Sequence, residues 1–209
     1  MKYKHIVFDI DGTLIDTEYA VLHSLQDTIL SLTGKEKSLD ELMFALGITG
    51  EDALRILGIH DILPTLDLWN HQICRYADTV TVFDGIPELL KDLLRQDYDM
   101  GIVTSKTKEE YEQDFYPYGI SHYFHTIICA DDTEAHKPNA DPLLKYMELS
   151  GAGRRQLLYI GDSEYDSMCA EHAGVDFALA VWGSSSQKIR ADYYLKKPGA
   201  LLPILSTVR

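Results

Sequence analysis

Asp9 and Asp11 stand one residue apart and are followed at once by Gly12 and Thr13, within the stretch KHIVFDIDGTLID from Lys4 to Asp16. Two carboxylates at this spacing supply hard oxygen donors for a divalent cation, and equally an acid and base for proton transfer. Gly12 can take positive φ and turn the chain sharply enough for both to face one ligand. Asp followed by Gly is also an ordinary turn signal, so this pair alone leaves a purely structural use open. Three further groups of polar residues accompany it: Thr104-Ser105, Lys137 in the loop from Asp131 to Pro138, and Asp162 with Asp166 one helical turn later. Each has a plain alternative, since Thr104, Ser105, Asp162 and Ser163 are good helix caps and a lone lysine is usually solvated.

The elements needed to bring these groups together are legible. Ile6, Val7, Phe8 and Ile10 form a short apolar, β-branched and aromatic run, the signature of a strand buried on both faces. Further strands are expected at Met100–Thr104, Thr126–Ala130, Leu157–Ile160 and Phe177–Val181. They alternate with helices beginning at Pro87, Lys106, Pro142, Ser163 and Pro198. Strand–helix alternation implies right-handed crossovers and a Rossmann-like, doubly wound parallel sheet of the α/β class. Ligands in such sheets bind beyond the carboxyl ends of the strands, and every polar group named above falls at such an end or in the loop after it.

Between these parts, Thr17 to about Thr81 shows only helical periodicity. Ala20, Val21, Leu25, Ile29 and Leu32 mark one helix, Ser38 with Glu41 a capping box, Glu51–Leu57 a short helix, and Pro64 the start of another carrying Leu66, Trp69 and Ile73. The expected organisation is a core of residues 1–15 and 82–209 interrupted by an all-helical insert, 16–81. Ser184-Ser185-Ser186 reads as a loop or helix cap.

The chain has 209 residues, 45% hydrophobic and 25% charged, with a formal net charge of -14, so its surface should repel nucleic acid and anionic membranes. A small anionic substrate would need a local patch of positive charge. Cys74, Cys129 and Cys169 are odd in number and widely spaced, which argues against a disulfide framework or a zinc site. Charged residues break every candidate membrane span, and no signal peptide is visible at the N-terminus. A soluble cytoplasmic protein, monomer or homodimer, is expected.

In order along the chain, DIDGTLID, VTS, the Lys137-Pro138 step and GDSEYD match the four motifs of the haloacid dehalogenase superfamily, and Val181-Trp182-Gly183 adds to the likeness. The chain resembles members with a small helical cap inserted after the first strand. That resemblance implies Asp9 as the nucleophile, phosphorylated during turnover, and Asp11 as the acid and then the base. It implies Gly12, Thr104 and Ser105 as holders of the phosphoryl oxygens, with Lys137 neutralising charge. Asp9, Asp162 and the carbonyl of Asp11 would bind Mg²⁺, with Asp166 supporting the metal's water shell. An all-oxygen donor set suits Mg²⁺.

Within the family, the second carboxylate at Asp11 favours phosphoryl transfer over dehalogenation. The cap offers only Lys35 and Lys37 as imine-forming lysines, in what reads as an exposed turn, which disfavours phosphonatases. The expected function is a Mg²⁺-dependent phosphatase of a small phosphorylated metabolite, similar to phosphoglycolate phosphatase. A pyrophosphatase, a sugar-phosphate mutase of the same family and a non-catalytic phosphate-binding regulator are the alternatives.

Overall fold

The computed structural model describes residues 2–184, 186 and 188–207; Ser185, in the expected loop at 184–186, lies outside them. Six parallel strands form one sheet in the order β5-β4-β1-β6-β7-β8. They are β1 (His5–Phe8), β4 (Asp99–Val103), β5 (Thr126–Ile128), β6 (Leu157–Gly161), β7 (Asp176–Ala180) and β8 (Tyr193–Leu195). β1 pairs with β4 and β6 on its two sides, Phe8 standing level with Ile102 and Ile160. The residues that follow these strands therefore leave the sheet side by side.

The sheet is covered on both faces. One apolar cluster joins Ile6, Phe8 and Ile102 to α5 (Ile86–Arg95) and α9 (Leu201–Thr207). The other joins Val7, Val103 and Tyr159 to α7 (Asp141–Ser150) and α8 (Glu164–Ala173). Alternate residues of β1 and β4 thus serve opposite faces, as the strand period of two requires.

The helical segment carries α1 (Glu18–Thr33), α2 (Leu39–Leu42), α3 (Gly50–Ile56) and α4 (Ile62–Ile73), packed around a separate cluster that includes Leu25, Leu42, Leu54 and Trp69. The Ser38–Glu41 capping box is present, with Ser38 Oγ accepting from Glu41 N and Glu41 returning to Ser38 N. Two short strands tie the segment at its base: β2 (Ile15–Asp16) pairs antiparallel with β3 (Thr81–Val82).

Several elements differ from expectation. α4 opens two residues before Pro64, because proline is tolerated anywhere in a first turn whose N–H groups lack helical partners. The helix expected from Lys106 to Tyr116 is broken into α6 (Lys108–Glu110), a π-turn at Tyr111–Phe115 and a 3₁₀ turn at Tyr116–Tyr118 that contains Pro117. The strand expected at Thr126–Ala130 stops at Ile128, where Cys129 N turns to the Asp132 carboxylate instead of a neighbouring strand. The last helix opens as a 3₁₀ turn at Pro198–Ala200 before α9. β2, β3 and β8 are too short to carry a period of their own.

Candidate active site

β1 ends at Phe8, and Asp9 N donates to Ile160 O at 2.8 Å, so Asp9 is held as a last rung of the sheet before the chain turns. Gly12 makes that turn at φ 71°, and a Cβ there would collide with the Asp162 carboxylate. Thr13 Oγ1 donates to Asp162 Oδ1 at 3.1 Å, and Trp182 Nε1 donates to Thr13 O at 3.0 Å. The Val181-Trp182-Gly183 turn thus braces the first motif from behind.

Asp9, Asp162 and Asp166 each present a carboxylate oxygen, and these three oxygens all lie within 4.8 Å of one another. Lys137, almost wholly buried, bridges two of them: its Nζ is 3.0 Å from Asp9 Oδ2 and 2.8 Å from Asp166 Oδ1. Burial alone would lower the Lys137 ammonium, but Asp166 and Asp9 more than offset it and hold it protonated. Both oxygens of Asp166 are occupied: Oδ1 by Lys137 and the Tyr159 hydroxyl (2.8 Å), Oδ2 by Ser163 N (3.1 Å) and Oγ (2.6 Å). Asp166 therefore anchors Lys137 and the start of α8.

Asp9 is different. Its Oδ1 is buried with no hydrogen-bond partner among the described residues. Burial pushes its carboxyl up to about 7 against the pull of Lys137, and burial together with Asp166 and Asp9 raises Asp162 as well. A cluster of three carboxylates facing one ammonium, with an orphaned buried oxygen, lacks positive charge. An all-oxygen set of this kind matches the preference of Mg²⁺, so the residues present fit that ion.

Thr104 is buried at the end of β4, its backbone N donating to Ile128 O and its Oγ1 accepting from Lys106 N at 3.2 Å. Ser105 Oγ donates across to Gly47 O in the helical segment at 3.0 Å. The expected residues are thus brought to one sheet edge: Asp9, Gly12, Asp162, Asp166 and Lys137 in contact, with Thr104 and Ser105 on the neighbouring strand end. Asp11 lies beside them, and Asp9, Asp11 and Ser105 line one cavity.

Two residues at the site carry no motif signal in the sequence. Lys106, the expected start of a helix, is buried, its Nζ 3.3 Å from Asp11 Oδ1 and 3.2 Å from Asp114 Oδ2. The contact with Asp11 is an ion pair without hydrogen-bond geometry. The one available signal was its place two residues beyond a strand end, beside the hydroxyl pair. Tyr159 sits inside β6, where it reads as core; its hydroxyl lies 3.0 Å from Val103 O and accepts from Lys137 Nζ at 3.4 Å.

Residues 6–180 match the haloacid dehalogenase-like hydrolase family. The chain belongs to it. It is 26% identical over 213 residues to the pyrophosphatase PpaX of Bacillus cereus, with 99% of this chain and 98% of that protein covered. Among solved structures it is similar to a Lactobacillus plantarum protein assigned to the phosphoglycolate phosphatases, with 30% identity, a TM-score of 0.88 and coverage of 98% and 100% of the two chains. A haloacid dehalogenase-like hydrolase from Bacteroides fragilis is 25% identical with a TM-score of 0.83, covering 96% of this chain and all of its own. Family membership makes the protein a hydrolase and accounts for the strand-end positions of the four motifs. No helix of the described residues is long and apolar enough to cross a membrane.

Proposed function

We propose that this hydrolase is a Mg²⁺-dependent phosphatase of a small phosphorylated metabolite, with Asp9 phosphorylated in each turnover. The observation that carries this reading is Asp9 itself, buried between Lys137 and Asp162 with one carboxylate oxygen unpartnered. The reading is supported by the family match and by the phosphoglycolate phosphatase and pyrophosphatase assignments of similar proteins.

A phosphate monoester brings negative charge to a carboxylate nucleophile. Two unit charges ~4 Å apart cost about 4 kcal/mol at an effective dielectric of ~20, and a dianion roughly doubles that. Lys137 stands where part of this repulsion arises. Asp9, Asp162 and the Asp11 carbonyl would hold Mg²⁺, which when bound supplies the remaining positive charge at the phosphoryl oxygens.

The residues divide the reaction between them. Asp9 attacks phosphorus as the bond to the leaving oxygen breaks, and Asp11 gives that oxygen its proton. Asp11, now a carboxylate, takes a proton from the water that attacks the phosphoryl group on Asp9, and inorganic phosphate leaves with Asp9 restored. Thr104 and Ser105 bind phosphoryl oxygens, while Asp166 and Tyr159 keep Lys137 in place. Residues 16–81 act as a cap over the reaction, excluding water through contacts such as that of Ser105 with Gly47.

The test is phosphate release from an aryl phosphate with MgCl₂, with and without excess chelator. Metal-dependent release is expected; equal release under chelation contradicts the metal assignment. Tight phosphate binding without turnover of any ester would instead favour a binding regulator.

A further inference from the structure

The cavity above Asp9 and Asp11 lies between the two parts of the chain and measures about 80 Å³. Its upper wall is apolar: Val21, Ile48, Leu66, Trp69 and Ile73 face it from the helical segment. The indole N–H of Trp69 is already given to Ser24 Oγ at 2.8 Å. None of the lysines or arginines of that segment reaches this wall, and Asn70, exposed at the cavity's edge, is its one amide side chain.

The lower wall beyond Asp11 is built by the strand end and the helical turns after it. Among the described residues Lys106 is the one cationic side chain on these walls, and Glu110 and Asp114 stand beside it. Lys106 is already committed, with Asp11 at 3.3 Å and Asp114 at 3.2 Å. The Glu110 carboxylate accepts from Thr107 N at 2.8 Å, and the cation its charge acts on is the same Lys106, already shared with Asp11 and Asp114. In a family of enzymes that hydrolyse anions, this outer chamber holds more carboxylates than cations.

We propose that the substrate's leaving group carries no negative charge, being a small alcohol with an apolar or ammonium-bearing body. This rests on the phosphatase reading and narrows it. The phosphoryl group is served by Lys137 and the donors at the strand ends, but a second anionic group on the substrate would face Glu110 and Asp114 with no free cation, against a wall whose side chains are apolar but for Asn70 at its edge. Burying an unpaired carboxylate there is costly, whereas an alkyl chain meets Leu66 and Ile73 and an ammonium meets Glu110. Phosphoglycolate and pyrophosphate, whose leaving groups are anions, should therefore be poor substrates of this chain despite its relatives.

The experiment compares kcat/KM of the Mg²⁺-supplied full chain for propyl phosphate, 2-aminoethyl phosphate and 2-phosphoglycolate, three esters of similar size and different leaving-group charge, with p-nitrophenyl phosphate as a test of the phosphatase reading. Propyl and 2-aminoethyl phosphate are expected to exceed 2-phosphoglycolate at least about tenfold, or about 1.4 kcal/mol of discrimination. Asp114→Asn, which releases Lys106 from one carboxylate, should shift that ratio at least about fivefold toward 2-phosphoglycolate, mainly through KM. Glu110→Gln, which keeps an acceptor for Thr107 N, is the second variant and should move it the same way. Hydrolysis of 2-phosphoglycolate as fast as the uncharged ester, or a ratio unmoved by both variants, overturns the inference and leaves the phosphatase reading standing. Failure to hydrolyse any of the four esters overturns both.

Discussion

Lys137 Nζ lies 2.8 Å from Asp166 Oδ1, with both side chains almost completely withdrawn from solvent. Asp166 also accepts from the Tyr159 hydroxyl and from Ser163, so removing it breaks one of the two ion pairs of Lys137 and strips buried donors of their acceptor, at a cost of about 3–5 kcal/mol. Asp166→Ala should therefore lower Tm by at least about 6 °C, at roughly 2–4 °C per kcal/mol for a chain of this size. Asp92→Ala, which removes the exposed pair with Arg95, should cost at most about 1 kcal/mol. Thermal melts of both variants check the contrast, and equal shifts would contradict it.

Metal and pH should act together on stability. Asp9 is raised to about 7 and Asp162 is raised as well, so without metal the folded chain holds protons that the unfolded chain releases near pH ~4. Their contribution to stability is fully present below that pH and is lost as pH rises through about 7. Chelator-treated protein should melt lower at about pH 8 than at about pH 6. Mg²⁺ at ~100 times its Kd should add about 2.7 kcal/mol, with the larger gain at the higher pH. Melting curves at both pH values, with and without MgCl₂, decide this; indifference to Mg²⁺ would count against the metal assignment.

Asp11→Asn should lose on the order of 10²- to 10⁴-fold in kcat, the usual worth of acid–base help. The loss should be smaller for p-nitrophenyl phosphate, whose leaving group needs little protonation, than for an alkyl phosphate. Steady-state rates on both esters test the role, and an equal loss on the two would remove the proton-donor half of it.

Gly47 sits at φ 88°, and a Cβ there would meet Ser163 Oγ at 2.7 Å. Gly47→Ala should strain the turn by about 1–2 kcal/mol and push it away from the strand ends. The expected result is about tenfold lower kcat/KM with a Tm loss of only a few degrees. Activity at the wild-type level would show that this approach is not needed for turnover.

Much of the architecture was readable because it rests on local signals. The apolar run at Ile6–Phe8, the strand–helix alternation and the Ser38–Glu41 capping box each announce themselves within a few residues. The strand-end acids follow from the same logic, since a carboxylate after an apolar strand is placed by the sheet. What was missed depends on distant neighbours. Lys106 is buried only because Asp11 and Asp114 converge on it, and no local pattern encodes that meeting. Tyr159 reads as strand filling because its ring does pack on Phe177 and Val7, while its hydroxyl serves Asp166. The Lys106–Tyr116 segment has a helix's composition, but its π-turn and Pro117 break the regular ladder.

The central claim is that Asp9 carries the phosphoryl group during turnover. Rapid acid quench of the Mg²⁺-supplied enzyme with p-nitrophenyl phosphate, followed by peptide mass spectrometry, tests it directly. The account predicts one added phosphoryl group on the peptide containing Asp9 in the wild type, and neither adduct nor turnover in Asp9→Asn. Undiminished hydrolysis by Asp9→Asn, or a phosphoryl group found on another residue, would contradict it.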